Sequence, residues 1–278
     1  MIYRDLGGMR MPALGFGTWE LTGESGIEAV RTALDTGFRH IDTAVRYENE
    51  REVGTALKAS GIARDELFVT TKVWHDSLRP EQVARSVSES LERLQLDRVD
   101  LLLVHWPSPE GVPLDETLAA FAEARAAGQT RAIGVSNFPV ALIEQAVDRL
   151  GSPMAANQVE YHPFLDQSAL LGALRARGMV LTAYQPIAGG AVFGNPVLEE
   201  VGLRHGKSAA QVALRWLMQQ EGVAAIPRSG NPANIRANFD IFDFELAPEE
   251  MKAIFALRGN GRRVNPDFAP DWDVLESA

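Results

Sequence analysis

Val99-Asp100-Leu101-Leu102-Leu103-Val104 is apolar on both faces apart from one acid near its start, and it runs directly into His105-Trp106-Pro107. A strand with one solvated face alternates polar and apolar residues, whereas a continuous run belongs to a parallel strand covered on both sides. Leu67-Phe68-Val69 repeats the pattern. Outward from these two, β-type runs recur at Leu14 to Trp19, His40 to Ala44, Ala132 to Asn137, Ala156 to Tyr161, Val180 to Gln185 and Ala224 to Ser229. Between them, Glu81 to Leu94, Leu114 to Ala126 and Ala209 to Met218 carry apolar residues at three- and four-residue spacing, as helices covering a sheet do. Eight β/α units predict an α/β fold, a (β/α)₈ TIM barrel. A doubly wound open sheet is the rival, and it would use Gly15-Phe16-Gly17-Thr18-Trp19-Glu20 as a dinucleotide loop. Glu20 stands where that loop needs its third glycine, so the fit is poor.

The 278 residues contain no linker or low-complexity stretch, and residues 1–278 read as a single barrel domain. Ahead of the first unit, Met1 to Leu6 and Met9 to Ala13 flank Gly7-Gly8, a β-hairpin placed to plug the barrel's base. Gly259 to Ala278 lacks periodicity and reads as a C-terminal loop lying over one face, taken here as the active-site face. With 46% hydrophobic and 23% charged residues the chain has an ordinary globular balance. No apolar run reaches the roughly 18 residues of a membrane span, so no membrane role is expected. A net charge of −10 argues against a general hold on nucleic acid. The chain has no cysteine, which excludes thiol nucleophiles and thiolate metal sites and fits a reducing compartment. Its first residues lack a signal-peptide core, so a cytoplasmic location is expected.

In such a barrel, chemistry sits at the C-terminal ends of the strands. The second strand ends near Asp42 with Tyr47 in the following loop, the third ends in Thr71-Lys72-Val73-Trp74, and the fourth in Val104-His105-Trp106-Pro107. Each residue alone has a plain explanation: a hydrogen-bonded histidine, a lysine paired with any acid, a surface ring. Together they form a proton-handling group, because a cation held by an acid favours the phenolate of a nearby tyrosine. A lowered Tyr47 pKa is therefore expected.

Gly37 to Gly54, the Lys72 strand, Asp100 to Pro107 and Ile226-Pro227-Arg228-Ser229 resemble the aldo-keto reductase family, in the branch of the 2,5-diketo-gluconate and aldose reductases. The likeness runs from about Leu14 to Phe244. It implies reduction of aldehydes or ketones with NAD(P)H and no metal, with Asp42, Tyr47, Lys72 and His105 at the catalytic positions. Tyr47 would be the general acid, Lys72 held by Asp42 would tune it, and His105 would orient the carbonyl. Ser136, Asn137 and Gln158 resemble the clamp on the nicotinamide carboxamide, and Tyr184 the platform under its ring. Gln185, Pro186, Ile187 and Gly189 fall in the pyrophosphate loop, where Gln185 and Ala188 depart from the family's Ser and Leu-Gly. At the phosphate end, Arg228-Ser229-Gly230 leads into a helix start. Here Lys-Ser becomes Arg228-Ser229, a later Arg becomes Asn234, and Glu-Asn becomes Ala237-Asn238. NADP(H) is the preferred cofactor with NAD(H) possible, and Arg236, two residues beyond Asn234, points about 200° away from that position.

Trp19, Trp74, Trp106 and Trp272, with His75, would line an apolar pocket for a small-molecule carbonyl substrate. Arg262 and Arg263 would either attract an anionic or polyhydroxylated substrate or sit in water. His162 and His205 read as structural or solvated. A metal site from His40, Asp42 and His105 lacks a further ligand. The enzyme is expected to act as a monomer. Two alternatives remain at this point: a cofactor-binding regulatory barrel with little turnover, and a metal-dependent barrel hydrolase.

Overall fold

The computed structural model describes residues 1–149 and 151–273. Two short antiparallel strands come first, β1 (Tyr3–Asp5) and β2 (Arg10–Pro12). Gly7 and Gly8 both have positive φ, 63° and 91°, the two-residue turn whose twist suits a hairpin. Eight parallel strands follow: β3 (Phe16–Gly17), β4 (His40–Asp42), β5 (Phe68–Val73), β6 (Val99–Val104), β7 (Thr130–Ser136), β8 (Met154–Glu160), β9 (Val180–Tyr184) and β10 (Val223–Ala225). Each pairs with its chain neighbour. The ring closes between β10 and the approach to β3, where Ala225 N–H donates to Ala13 O at 2.8 Å and Gly15 N–H to Ala225 O at 2.8 Å. Gly15-Phe16-Gly17 therefore enters a barrel strand rather than a dinucleotide loop. A β-carbon at Gly15 would lie 2.6 Å from the His40 ring, so the closure depends on a bare backbone there.

The outer helices are α1 (Gly23–Thr36), α2 (Glu50–Ala59), α3 (Pro80–Leu94), α4 (Leu114–Ala126), α5 (Val140–Ile143), α6 (Ser168–Arg175), α7 (Pro196–His205), α8 (Ala209–Met218), α9 (Pro232–Phe239) and α10 (Pro248–Phe255). The expected helices coincide with α3, α4 and α8. His205 ends α7, and its ring nitrogen sits 2.9 Å from Glu250.

Alternation along β5 shows how the barrel is filled. Val69 and Val73 join the core between sheet and helices, and Thr71 donates to the α2 residue Glu50. Phe68, Thr70 and Lys72 occupy the opposite face. Phe68 packs with Leu101, Leu103, Ala156 and Ala224 and with the hairpin's Leu6 and Met11, so the hairpin does plug the base. One layer up, Thr70 bonds His40 at 3.1 Å, and above it Lys72 meets Asp42. The interior thus changes from oily to ionic between base and mouth. Asp100, the acid inside the apolar run of β6, is buried and satisfied: it accepts from Val69 N–H and pairs with Arg64, both at 2.8 Å, and with Arg131 at 3.1 Å.

The C-terminal segment from Gly259 crosses the mouth without regular structure, as expected, while residues 274–278 lie outside the described residues. Buried Glu160, the last residue of β8, pins it by accepting from the N–H groups of Arg263 at 2.8 Å and Val264 at 2.9 Å.

Candidate active site

Asp42 closes β4 in register with Thr70 of the adjacent β5, and Lys72 stands two residues further along, one before that strand's end. The short turn Val45–Tyr47 brings Tyr47 back over them. That turn is braced from below: Thr43 donates to Asn49 Oδ1 at 2.8 Å, and the Asn49 amide donates to Thr18 O and Leu21 O. Lys72 Nζ then donates to Asp42 Oδ1 at 2.5 Å, Thr43 O at 2.9 Å and Tyr47 Oη at 3.2 Å. All three ammonium hydrogens are spent. Tyr47 Oη is an acceptor in this arrangement, and no described residue accepts its proton.

Burial alone would lower the Lys72 pKa, but Asp42 and then Tyr47 outweigh it and hold the ammonium above the ordinary lysine value. Tyr47 departs from expectation. Burial pushes its phenol up, Lys72 pulls it down, Asp42 pushes it up again, and the net direction is upward rather than downward. The reason is that one lysine charge, already neutralised by Asp42, does not offset desolvation of a phenolate.

His105 follows β6 directly and is 8% exposed. Burial, then the charges on Lys72, His75 and Arg46, drive its pKa well below 6.5, so the imidazole is neutral. Its Nδ1 is buried with no hydrogen-bond partner among the described residues. The ring sits edge-on to Tyr47 at 5.6 Å and to Trp74 at 4.9 Å between centroids.

The amide residues interlock around this group. Gln158 Nε2 donates to Asp42 Oδ2 at 2.7 Å, and no described residue donates to its Oε1. Ser136 Oγ donates to Gln158 O at 2.8 Å. Asn137, in left-handed backbone (φ 64°), donates to His105 O at 2.9 Å and accepts from Tyr184 Oη at 2.7 Å. Gln185, Pro186, Ile187 and Gly189 form the loop after β9, with Gly189 and Gly190 at φ 58° and 93°.

The strand-ten end is less open than the sequence suggested. Arg228 Nε donates to Trp19 O at 2.8 Å, and its Nη2 lies 3.2 Å from Glu20 Oε2. Ser229 Oγ accepts from Asn231 N–H, and Asn231 caps α9 by accepting from Ala233 N–H. Gly230 and Asn234 are exposed, and Asn238 is buried. Arg236 lines an outer groove between α1 and α9 together with Glu28, Asp35 and Asp240.

The aromatic wall includes a residue the sequence did not suggest. Phe268 packs against His75 at 4.4 Å, Trp106 at 5.4 Å and Trp74 at 5.9 Å. Trp272 meets Trp106 at 6.0 Å, and exposed Trp19 lies edge-on to Tyr47 at 4.9 Å. Phe268 sits in an aperiodic segment, so no spacing marks it. His162 is fully buried against Glu160, a structural pair. Both ring nitrogens of His40 are engaged, with Pro12 O and Thr70 Oγ1, and no cluster of three metal-ligating side chains occurs among the described residues. No helix there is long and apolar enough to cross a membrane.

Residues 13–258 match the model of the Aldo/keto reductase family. The chain is 40% identical over 268 residues to methylglyoxal reductase DkgB of Escherichia coli O157:H7, covering 95% of this chain and 100% of that one. It is 42% identical over 262 residues to the glyoxal reductase of Bacillus subtilis (strain 168), covering 94% of each. Among solved structures, a protein provisionally named 2,5-diketo-D-gluconic acid reductase B superposes with a TM-score of 0.95 at 48% identity, over 98% of this chain and 97% of the other.

Proposed function

Because the chain belongs to the aldo/keto reductase family, we propose that it reduces aldehydes or ketones to alcohols with NAD(P)H, and that Tyr47 is the proton donor. The way Lys72 is spent carries this reading: it gives its third hydrogen to the Tyr47 oxygen, which leaves the phenol's own proton for the pocket. When bound, the nicotinamide supplies the hydride. Tyr47, protonated at neutral pH, delivers its proton to the substrate oxygen as negative charge grows there. Lys72 stabilises the phenolate left behind, and Asp42 keeps Lys72 charged where burial would strip its proton. Neutral His105 donates a hydrogen bond from the ring nitrogen opposite Nδ1 and aims the carbonyl at Tyr47. The wall of Trp74, Trp106 and Phe268 keeps water from the reacting carbon. None of these steps calls for a metal.

The residues fit a nicotinamide cofactor. Gln158 Oε1 is an acceptor without a donor among the described residues, suited to a carboxamide N–H, with Ser136 and Asn137 beside it. Tyr184 would lie under the ring, Gln185 to Gly190 would take the pyrophosphate, and Arg228, Ser229 and Gly230 would meet the adenosine end with Asn238 behind them. Arg228 favours NADPH by pairing with a 2′-phosphate. Its present bond to Glu20 competes with that, which leaves NADH possible. The same reading makes the protein a cytoplasmic, monomeric enzyme of one barrel domain.

Tyr47→Phe tests it, with methylglyoxal and glyoxal, the substrates in the relatives' names, heading a panel of carbonyls. Turnover should fall by about 10²- to 10⁴-fold. The NADPH Kd, read from fluorescence titration, should stay within about twofold. Near-normal turnover in this variant overturns the assignment, and a wild-type protein that binds NADPH yet reduces nothing would be a regulatory barrel instead.

A further inference from the structure

A crevice of about 170 Å³ lies on the outside of the barrel between α6, α8 and α10, and none of its lining residues belongs to the site at the mouth. Its wall is aromatic: the Trp216 ring meets Tyr161 at 5.2 Å and Phe255 at 5.0 Å between centroids. Tyr161 Oη donates to Gln220 Oε1 at 2.8 Å. Burial pushes the Tyr161 phenol up, so it stays a neutral donor in that bond. Trp216 is unlike its neighbours. It is 2% exposed, and its Nε1 is the one buried side-chain polar atom of the lining without a partner among the described residues. A buried donor left unmatched is costly, so an acceptor brought to it regains that cost. Gly172 leaves the crevice open on the α6 side. It stands inside that helix, and a β-carbon there would meet nothing within 4 Å, so neither helix propensity nor packing calls for glycine. The rim carries net positive charge. Arg258 pairs with Asp166 at 3.3 Å, whereas Arg175 donates to Glu221 O through Nε and Nη2 and has no acid partner among the described residues.

We infer that this crevice is a binding site for a small monocyclic anion: the Trp216 N–H donates to the anionic group, Arg175 and Arg258 attract it, and the aromatic side chains enclose the ring. The volume sets the size, since a cavity of about 150 Å³ with apolar walls takes one benzene ring. The rim sets the sign of the charge. The site needs no cofactor and none of the residues around Tyr47, so it stands or falls independently of carbonyl reduction.

The test adds benzoate to the isotope-labelled full chain and follows the Trp216 indole N–H resonance, identified by its loss in Trp216→Phe. That resonance reports the crevice even if benzoate also enters the mouth. It should shift and saturate in the millimolar range. Gly172→Leu places a side chain in the open space, improves helix propensity and should raise the benzoate Kd about tenfold or more. Benzamide, a neutral molecule of nearly the same shape, should bind about threefold or more weaker than benzoate, and Arg175→Gln should narrow that gap. A resonance unmoved at about 10 mM benzoate overturns the proposal. So does an unchanged Kd in Gly172→Leu, which would place the ligand elsewhere, or equal binding of benzamide, which would remove the anion from the reading.

Discussion

Tyr47 holds its proton more tightly than a free phenol, and His105 holds one less tightly than a free imidazole. Both directions suit a reduction, in which one group must arrive protonated and the other must act as an uncharged donor. They also fix the pH dependence. A donor whose pKa lies above the ordinary tyrosine value of about 10 is fully protonated below it, so kcat for reduction should stay level from about pH 7 to 10 and decline only beyond. A histidine already neutral adds no break near pH 6.5. Single-turnover rates from about pH 5 to 11 check both statements, and an inflection near pH 6.5 would show that His105 titrates in the working range. That Asp42, Tyr47, Lys72 and His105 meet was legible in the sequence, because Asp42, Lys72 and His105 stand at or beside strand ends and Tyr47 in the turn that follows one of them. The direction of the Tyr47 shift was not legible, since it depends on how deeply the ring is buried and how completely Asp42 neutralises Lys72.

At the level of elements, unbroken apolar runs marked the buried parallel strands, and helical spacing located α3, α4 and α8. Less could be read where an element's partner is remote in sequence. Nothing near Asp100 indicates that Arg64 and Arg131 meet it, and nothing in the aperiodic tail marks Phe268 as part of the pocket wall. Arg228 is the case with a functional consequence. It stands at the position proposed above to meet a cofactor phosphate, but the turn after β3 places Glu20, in left-handed backbone at φ 59°, against it. The pair is exposed, and such pairs contribute about 1 kcal/mol at most, so a 2′-phosphate can displace the carboxylate at modest cost. Glu20→Gln removes the competitor and a repelling charge while keeping the side chain's size. The Kd for NADPH should tighten by about two- to fivefold, and that for NADH should move by less than about twofold. Equal changes for both cofactors would mean that Glu20 does not guard the phosphate site.

For the molecule as a whole, the buried titratable groups set limits on stability from both sides of neutrality. His40 and His105 are buried with lowered pKa values. Between those values and about pH 6.5 the unfolded chain binds more protons than the folded one, so stability must fall as pH drops through that window. Each proton of difference contributes up to about 1.4 kcal/mol per pH unit. On the alkaline side, Tyr47, Tyr161 and Tyr184 are raised by burial, and Lys72 is raised by its partners. These groups keep their protons in the fold after the unfolded chain has begun to lose them, so their contribution is complete below about pH 10 and is lost above it. The net charge of −10 at pH 7 grows more negative in the same direction and adds self-repulsion. Urea midpoints measured from pH 4 to 11 should therefore form a plateau between about pH 6.5 and 10 with a decline on each side. The acid decline should soften in His40→Gln. That variant loses the titrating ring, but its amide can still bond Thr70, so its midpoint at pH 7.5 reports the packing cost separately from the proton linkage. A wild-type midpoint that stays level down to pH 5 would show that His40 and His105 are not held neutral in the fold.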